Sequence, residues 1–258
     1  MKAQLDLYPT ERQHKILELL EQADRVTVTE LSHLFTVSEV TIRSDLQILA
    51  AQDLIVRTHG GALPATRSPE LSLNLRRQQQ ALVKERIGEA AVELVENGDA
   101  IFLDASSTAL ALARRLTHFR DLTILTHSLA VAEAMIGALG VTVVVSGGIF
   151  QRDTMSFIGL EGLPALSKYN IRTGFFGAHG LSYPEGLTDI SAAEAEVKRE
   201  IVSACRQVIA LIDATKWGRV GPASFAHPQD LQMIITDMNA PSRLVDQARD
   251  QGTPVRLV

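Results

Sequence analysis

Cysteine is nearly absent from the sequence. Cys205 is the only one, so the chain cannot form an internal disulfide bond. Histidine and cysteine residues nowhere show the spacing of a metal site, which excludes zinc fingers and related folds. We therefore expect neither a metal nor another cofactor, and the cysteine usage favours the reducing cytoplasm as the compartment.

Long apolar runs are missing as well. No segment approaches the roughly 18 consecutive apolar residues of a membrane helix. Near the amino end, Asp6 and Glu11 stand where a secretory signal needs an apolar core. We therefore expect no export signal, no membrane segment and no membrane partner.

Positive charge is not in excess. Lys and Arg number 25 against 30 Asp and Glu, which gives a formal net charge of -5. A protein of this charge is not coated for non-specific binding of nucleic acid. Any contact with DNA must therefore come from a local surface.

Length and composition favour two unequal domains. The chain has 258 residues, which exceeds the usual single-domain size, and its 46% of hydrophobic residues are enough for a substantial core. The pattern of residues 10–62 predicts three short helices and a hairpin, so residues 1–63 are the predicted small domain. Residues 64–81 mix Pro, Ser, Arg and polar residues as a linker does, and residues 82–258 form the larger second domain.

The larger domain alternates short apolar runs with helical patterns, which is typical of a parallel sheet with helices on both faces. The predicted strands are residues 100–103, 123–125, 141–145, 174–177, 208–212, 233–235 and 255–258. The predicted helices are residues 109–116, 128–139, 192–205 and 242–251. The predicted fold class is therefore α/β, with a small helical domain in front of the larger one.

The third predicted helix of the small domain has one apolar and one polar face. Ile42, Leu46 and Leu49 share the apolar face at i, i+4 and i+7 spacing. Thr29 and Ser38 are the expected N-caps of the second and third helices. A DNA major groove accepts such a helix, where short hydrogen-bonding side chains and an arginine reach bases or phosphates. The candidate contacts are Ser38, Thr41, Arg43, Ser44 and Gln47.

The segment after this helix, residues 54–62, has strand character interrupted by Gly60 and Gly61. Paired glycines permit the positive φ angles of a tight turn, so we interpret the segment as the wing of a winged helix-turn-helix. Arg57 and His59 would then approach the neighbouring phosphate backbone or minor groove. The alternative is that the helices and the hairpin merely pack against the larger domain, with an ordinary solvated helix face.

A candidate anion site lies where the first predicted strand of the larger domain ends. Asp104 follows this strand, and Ser106, Ser107 and Thr108 lead into a predicted helix. Such a turn brings backbone N–H groups, hydroxyl groups and a helix N-terminus to one point, where a phosphate fits. An ordinary Ser/Thr helix cap is the alternative interpretation.

Polar residues also follow other predicted strands, at the edge where open α/β sheets bind ligands. Glycines there allow a ligand to approach the backbone closely, and a lysine supplies a compact cation. The candidates are Thr126, His127, Gly147, Gly148, Asp213 and Lys216. Taken singly, each also has an ordinary interpretation as a turn glycine, a loop histidine or a solvated lysine.

Several motifs together resemble the DeoR-type repressors of sugar operons. They are Arg12-x3-Ile16-x3-Leu20, Ser38-x-x-Thr41-Ile42-Arg43-Ser44-Asp45-Leu46 and the wing of residues 54–62, and the similarity extends over nearly the whole chain. The chain departs from the family at Ser44, where a second basic residue is frequent, and at His127, where many members have Asn. Ala105 likewise stands where many members have Gly.

The resemblance implies that the larger domain is similar to the ribose-phosphate-isomerase and CoA-transferase folds. It also implies that the loop of Asp104, Ser106, Ser107 and Thr108 holds the phosphate of a sugar phosphate. The other residues that it carries over are Gly147, Gly148, Arg152, Glu194, Glu196, Lys198, Arg199, Asp213 and Lys216. Lys198 and the stretch from Asp189 to Ser191 before it stay open between ligand contact and subunit interface.

These expectations combine into a DNA-binding repressor of a carbohydrate-metabolism operon, with no catalytic residue. Its expected partners are double-stranded operator DNA, a small phosphorylated sugar or polyol, and further copies of the chain in a dimer or tetramer. The alternative is a sugar-phosphate isomerase in which Glu194 or Asp104 acts as the base beside Lys198. Glu194 and Lys198 equally fit a solvated i, i+4 ion pair, and a scaffold protein is the third possibility.

Overall fold

The structure is a computed structural model, and it describes residues 8–23, 25–52, 54–58, 60–64 and 72–258. The chain divides into two compact units, Met1–Gln78 and Gln79–Val258. Among the described residues, no helix has both the length and the apolar character needed to cross a membrane.

The first unit combines helices with a small antiparallel sheet. Its helices are α1 (Pro9–Gln22), α2 (Val28–Phe35), α3 (Glu39–Ala51) and α4 (Leu73–Gln78). Its strands are β1 (Val26–Thr27), β2 (Ile55–Thr58) and β3 (Gly61–Pro64), and β3 lies between the other two. The apolar faces of α1, α2 and α3 meet in a core around the buried Ile16, Leu31 and Ile42. The predicted winged helix-turn-helix is therefore confirmed.

Side-chain caps set the starts of α2 and α3. Ser38 caps α3 as predicted, since its Oγ accepts a hydrogen bond of 3.1 Å from the Thr41 N–H. The prediction of Thr29 as the cap of α2 is wrong, because the helix begins earlier and Thr27 caps it. Thr27 Oγ1 accepts from the Glu30 N–H while the Glu30 carboxylate accepts from the Thr27 N–H, which is a capping box.

The paired glycines of the wing serve a different purpose from the predicted one. Neither Gly60 nor Gly61 has a positive φ angle. A Cβ atom on Gly61 would lie 1.9 Å from the carbonyl oxygen of Val26, so only glycine lets β3 run this close to β1. The wing therefore needs Gly61 for close backbone packing rather than for its turn.

The second unit is built around a seven-stranded sheet in the order β15-β14-β12-β9-β4-β5-β6, in which every neighbouring pair is parallel. Its strands are β4 (Ala100–Leu103), β5 (Leu122–Thr126), β6 (Val141–Val145), β9 (Thr173–Phe176), β12 (Gln207–Leu211), β14 (Met233–Thr236) and β15 (Val255–Leu257). Each predicted strand is present with nearly its predicted bounds. The α/β class is therefore confirmed.

Helices and two smaller β structures complete this unit. The helices are α5 (Ala81–Val92), α6 (Ser107–Arg115), α7 (Leu129–Ala134), α8 (Leu163–Leu166), α9 (Ala192–Ala204) and α10 (Ser242–Asp250). Strands β10 (Gly180–Ser182), β11 (Gly186–Asp189) and β13 (Ala223–Ala226) form an antiparallel sheet, and β7 (Ile149–Gln151) and β8 (Ser156–Ile158) form a hairpin. Helix α7 ends before the predicted residue 139, because Gly137 disfavours helix and Ile136 is exposed.

The strand order creates a crevice between β4 and β9. From β4 the chain proceeds outward through β5 and β6, whereas from β9 it proceeds the other way through β12, β14 and β15. Ligands of open α/β sheets bind at the carboxyl ends of the strands where the connections diverge in this way. Phe102 of β4 and Phe176 of β9 are fully buried with ring centroids 5.5 Å apart, which packs these two strands together.

Candidate functional site

Helix α3 presents a polar face to solvent. Four of the predicted DNA contacts are exposed: Ser38 at the N-cap of the helix, and Arg43, Ser44 and Gln47 on its polar face. Thr41 is half-buried, and Arg57 is exposed on β2. His59, the other predicted contact on the wing, lies outside the described residues.

The guanidinium of Arg43 has a partner on its own helix. Its Nη2 donates to Glu39 Oε2 at 2.7 Å, and Glu39 Oε1 accepts from the Thr29 hydroxyl of α2 at 3.0 Å. The Arg43 side chain is nevertheless 53% exposed. Because an exposed i, i+4 pair contributes only about 0.3–0.5 kcal/mol, a DNA phosphate or guanine can replace Glu39 as the partner.

Sequence reasoning missed an exposed apolar residue of this helix, Val40. It is 73% exposed, although valine ordinarily prefers a buried position. An apolar side chain on a helix in the major groove contacts the methyl group of thymine. Its helical position opposite the buried Ile42 is the signal that would have found it.

A buried ion pair fixes α3 against α1. Arg12 Nε lies 2.6 Å from Asp45 Oδ2, and the two side chains are only 7% and 4% exposed. Gln13 Nε2 donates to the other carboxylate oxygen of Asp45 at 3.0 Å. Because Asp45 directly follows Ser44 on α3, this pair sets the orientation of the exposed face.

In the second unit, Asp104 joins the carboxyl ends of β4 and β9. Its fully buried carboxylate accepts hydrogen bonds from the Ser106 N–H at 3.0 Å and from the Gly177 N–H at 2.9 Å. Gly177, which follows β9, was not predicted as a site residue. A Cβ atom on Gly177 would lie 2.4 Å from the Ser106 Cβ, so only glycine lets the two strand ends come this close.

The loop after Asp104 leads into the N-terminus of α6. Ser106 is an ordinary cap, since its Oγ accepts from the Ala109 N–H at 3.0 Å. Ser107 and Thr108 are the first two residues of the helix. Because no helical turn precedes them, their N–H groups have no carbonyl acceptor within the helix. Their N–H and hydroxyl groups therefore form a set of donors at the positive end of the helix dipole.

Lys198 of α9 is a buried cation in the crevice. Its Nζ lies 2.8 Å from Asp189 Oδ2 and 3.1 Å from Asp104 Oδ2, and it donates to the Gly177 carbonyl at 3.3 Å. Burial lowers the pKa of Lys198, but the carboxylates of Asp189, Asp104 and Glu194 outweigh burial and raise that pKa above its ordinary value. The lysine is therefore charged and binds two strand ends and α9 together.

Of the two interpretations of Glu194 and Lys198, the solvated ion pair is wrong. Both residues are buried, and Lys198 bonds to the two aspartates instead. Glu194 Oε1 accepts a hydrogen bond of 2.6 Å from the Ser156 hydroxyl of β8. The described part of the crevice thus holds buried carboxylates of Asp104, Asp189 and Glu194 around Lys198. Sequence reasoning did not assign Ser156 to the site and left Asp189 open.

His127, which follows β5, is fully buried against Phe102. The two rings stack with centroids 5.6 Å apart and planes 11° apart. Neither ring nitrogen of His127 has a hydrogen-bond partner among the described residues. Burial lowers the pKa of His127, and the carboxylates of Glu194 and Asp104 oppose this shift without reversing it. The imidazole is therefore neutral at pH 7.

Thr126 and the paired glycines shape the edge of the sheet. The Thr126 hydroxyl donates to the Leu103 carbonyl at 2.7 Å, which ties β5 to β4. Gly147 and Gly148 have φ angles of 72° and 117°, and a Cβ atom on Gly148 would lie 2.3 Å from a carbonyl oxygen of β8. These glycines therefore let the chain turn from β6 into the β7–β8 hairpin.

The β7–β8 hairpin lies over the end of β5. The Phe157 N–H of β8 donates to the His127 carbonyl at 2.8 Å, and Ser128 and Ser156 form a bridge beside it. Arg152 is exposed in the turn of the hairpin. The hairpin is thus bonded to the chain at His127, while the exposed Arg152 is not part of the buried cluster.

Asp213 and Lys216 follow β12, which β9 separates from β4. Asp213 Oδ1 accepts hydrogen bonds from the N–H and the hydroxyl of Thr215, and Lys216 is half-buried in the same short turn. The structure therefore brings Asp104, the α6 N-terminus, His127 and Lys198 together and places Asp213 and Lys216 at a neighbouring strand end. No group of three or more His, Cys, Asp or Glu residues in the described part of the chain is placed to hold a metal ion.

Comparison with known protein families matches both units. Residues 12–67 match the model of the DeoR-like helix-turn-helix domain. Residues 79–238 match the model of the DeoR C terminal sensor domain. The two models together span most of the chain.

Similar proteins align along nearly the whole chain. The HTH-type transcriptional regulator GolR of Listeria innocua is 36% identical and covers 97% of this chain and 99% of its own length. The putative aga operon transcriptional repressor of Escherichia coli O157:H7 is 31% identical, with 96% and 94% covered. The glycerol-3-phosphate regulon repressor of Escherichia coli K12 is 30% identical, with 96% and 98% covered. Among solved structures, ribose 5-phosphate isomerase A of Methanocaldococcus jannaschii is 16% identical, with a TM-score of 0.41 over 54% of this chain and 55% of that one.

Proposed function

The chain belongs to the DeoR family of DNA-binding transcription regulators, and from this premise we propose that it represses a carbohydrate-metabolism operon until a phosphorylated sugar or polyol binds its second unit. The family assignment made from the sequence motifs is confirmed, and the family and the names of the similar proteins indicate a DNA-binding regulator rather than an enzyme. The observation that carries the proposal is the donor set at the N-terminus of α6, which lies within the sensor domain.

We assign DNA binding to residues 1–63, a linker function to residues 64–81, and sensing and oligomerisation to residues 82–258. In this proposal α3 enters the major groove, where Arg43 reaches a phosphate or guanine and Gln47 a base edge. A single winged helix-turn-helix domain, or reading head, with so little positive charge binds DNA weakly on its own. Two or four heads in a dimer or tetramer raise the effective concentration of each for its half-site, which compensates for the weak single contact.

The proposed effector places its phosphate at the N-terminus of α6. The N–H and hydroxyl groups of Ser107 and Thr108 donate to the phosphate oxygens, and the helix dipole favours the negative charge. Asp104 does not touch the phosphate in this arrangement. It holds the loop through the Ser106 N–H, and Lys198 compensates its charge.

We also propose that the second unit has no isomerase activity. Such chemistry needs a carboxylate base with a cation available to polarise the substrate carbonyl. Glu194 has the burial expected of a tuned base, but Lys198 is bound by Asp104 and Asp189. The cation therefore stabilises the protein rather than a reacting substrate.

Sugar and polyol monophosphates are expected to release the protein from operator DNA. The operator is obtained by selecting bound sequences from random duplex DNA, and fluorescence anisotropy follows its release. A coupling free energy of about 1–3 kcal/mol corresponds to about 5- to 150-fold weaker operator binding when effector is present. No release by any phosphorylated sugar or polyol would contradict the proposal.

A double variant, Ser107→Ala with Thr108→Val, tests the position of the phosphate. It removes two hydroxyl donors while nearly preserving volume, and hydrogen bonds to charged groups contribute about 1.5–3 kcal/mol each. The two losses together are at least about 3 kcal/mol, so the concentration of effector that releases operator should rise about 100-fold or more. Thr117→Val, at an exposed position in the turn after α6, is the control and should leave the release curve unchanged.

Arg43→Ala is expected to reduce the preference for operator over random DNA. An arginine that contacts a guanine contributes about 1–3 kcal/mol of discrimination, which is about 5- to 150-fold in relative affinity. Arg114→Ala removes the same charge from the exposed last turn of α6 and serves as the control in the same gel-shift titrations. An Arg43→Ala variant with the full preference for operator would contradict the assignment of α3 as the reading helix.

A further inference from the structure

The group in the crevice that still needs an explanation is the imidazole of His127. Buried polar atoms almost always have hydrogen-bond partners, because an unsatisfied one loses its interactions with water without replacement. Both ring nitrogens of His127 lack a partner among the described residues, although the ring is fully buried. Stacking on Phe102 occupies a face of the ring and leaves the nitrogens unsatisfied. A phenylalanine would pack there without this cost.

The charges around His127 favour a neutral partner. The charged groups that act on the ring are Glu194, Asp104, Asp189 and Lys198, which are carboxylates apart from the lysine. His127 is itself neutral, so negative charge is in excess at this end of the crevice. A second anion brought here would meet like charge in surroundings of low dielectric constant, whereas a hydroxyl group would not.

The crevice therefore has two ends of different polarity, one at the N-terminus of α6 and the other at His127 and Glu194. At the N-terminus of α6, Ser107 and Thr108 present donors suited to an anion. At the other end, the carboxylate of Glu194 accepts hydrogen bonds, and a neutral imidazole offers one N–H donor and one acceptor nitrogen. A hydroxyl group both donates and accepts, so it complements this second end.

We propose that His127 and Glu194 read hydroxyl groups of the effector, and that the effector is a polyol or sugar monophosphate rather than the phosphate of a sugar acid. The inference rests on the proposed function, because it takes a phosphorylated carbohydrate with its phosphate at α6 as the ligand. Hydroxyl groups of the carbon chain donate to Glu194 and satisfy the nitrogens of His127. The β7–β8 hairpin is hydrogen-bonded to the His127 carbonyl and to Glu194, so it has to move for the carbon chain to reach both side chains.

Matched ligand pairs that differ only at the end remote from the phosphate test this selectivity. Calorimetric titration of the full-length protein compares glycerol 3-phosphate with 3-phosphoglycerate, and glucitol 6-phosphate with 6-phosphogluconate. Inorganic phosphate serves as the probe of the α6 end alone. One of the two ligand pairs will bind more tightly than the other. Within that pair, the affinity for the polyol phosphate should be at least about tenfold higher than the affinity for the sugar-acid phosphate. In Glu194→Gln this ratio should fall, because one of the repelling charges is gone.

His127→Phe separates a hydroxyl-reading histidine from a merely structural one. Its affinity for the polyol phosphate, relative to inorganic phosphate, should fall about tenfold. Its melting temperature without ligand should equal or exceed that of the wild type, because an apolar ring of similar shape replaces unsatisfied polar atoms. A structural histidine would give a lower melting temperature and an unaltered ligand preference. His118→Phe, at an exposed histidine beside Phe119, is the matched control for both measurements.

The possible failures are distinguishable. If no polyol phosphate, sugar-acid phosphate or inorganic phosphate binds the wild-type protein, both the proposed function and this inference are overturned. If polyol phosphates bind but sugar-acid phosphates bind equally well, only the inference is overturned. It is also overturned alone if polyol phosphates bind and neither Glu194→Gln nor His127→Phe changes the ligand preference.

Discussion

Replacing Lys198 with methionine is expected to destabilise the second unit by about 3–5 kcal/mol, as removal of one member of a buried ion pair does. Lys198 is only 4% exposed, and its ammonium group compensates the buried carboxylates of Asp104 and Asp189. Methionine keeps an unbranched side chain next to Phe225, above whose ring the ammonium lies, so the lost stability is mainly electrostatic. Urea unfolding followed by circular dichroism measures the change as a lower midpoint.

Two further variants identify the cause of this loss. Lys168→Met removes the same charge from an exposed lysine and should change stability by no more than about 0.5 kcal/mol. Adding Asp189→Asn to Lys198→Met neutralises one of the uncompensated carboxylates, so part of the lost stability should return. If Lys198→Met unfolds at the same urea concentration as Lys168→Met, the lysine does not compensate the carboxylates of the crevice.

The parallel sheet was predictable because its strands carry their signal locally. Strands such as β4, β5 and β12 are apolar on both faces, since helices cover a parallel sheet on each side. The resulting short apolar runs end at polar or turn residues such as Asp104 and Asp213. Their recognition therefore needs no knowledge of which strand pairs with which.

The antiparallel sheet of β10, β11 and β13 was not predictable, because its strands are defined only by their pairing with one another. β10 and β11 are short and begin at glycines, and Thr188 of β11 pairs with Ser224 of β13, far away along the chain. No local alternation of apolar and polar residues marks them. This sheet positions Asp189 beside Lys198, which is why the sequence left the role of Asp189 open.

The candidate site divides in the same way. The loop from Asp104 to Thr108 is contiguous and follows a strand, so its residue types alone predict an anion site. Gly177 contributes through close backbone approach, and its importance depends on β9 being the neighbour of β4. Because a sequence does not state which strand ends are adjacent, Lys216 was grouped with Asp104 although β9 lies between their strands.

Replacing Asp45 with alanine is expected to unfold the first unit and abolish operator binding, although the buried Asp45 cannot touch DNA. The substitution removes the carboxylate that pairs with the buried Arg12, which costs about 3–5 kcal/mol. Domains below roughly 70–80 residues rarely have more than about 3–5 kcal/mol of stability from their cores. The expected loss therefore equals the whole stability of a unit of this size.

Calorimetry should then show that Asp45→Ala lacks the unfolding transition of the first unit while effector binding by the second unit persists. Glu18→Ala is the control, because its exposed pair with Lys15 contributes only about 0–1 kcal/mol and operator binding should remain. Arg43→Ala should keep the transition and lose operator preference, which separates loss of a contact from loss of the fold. Operator binding by Asp45→Ala at the wild-type level would mean that the orientation of α3 does not depend on Arg12, and that the apolar core around Ile42 holds the reading helix unaided.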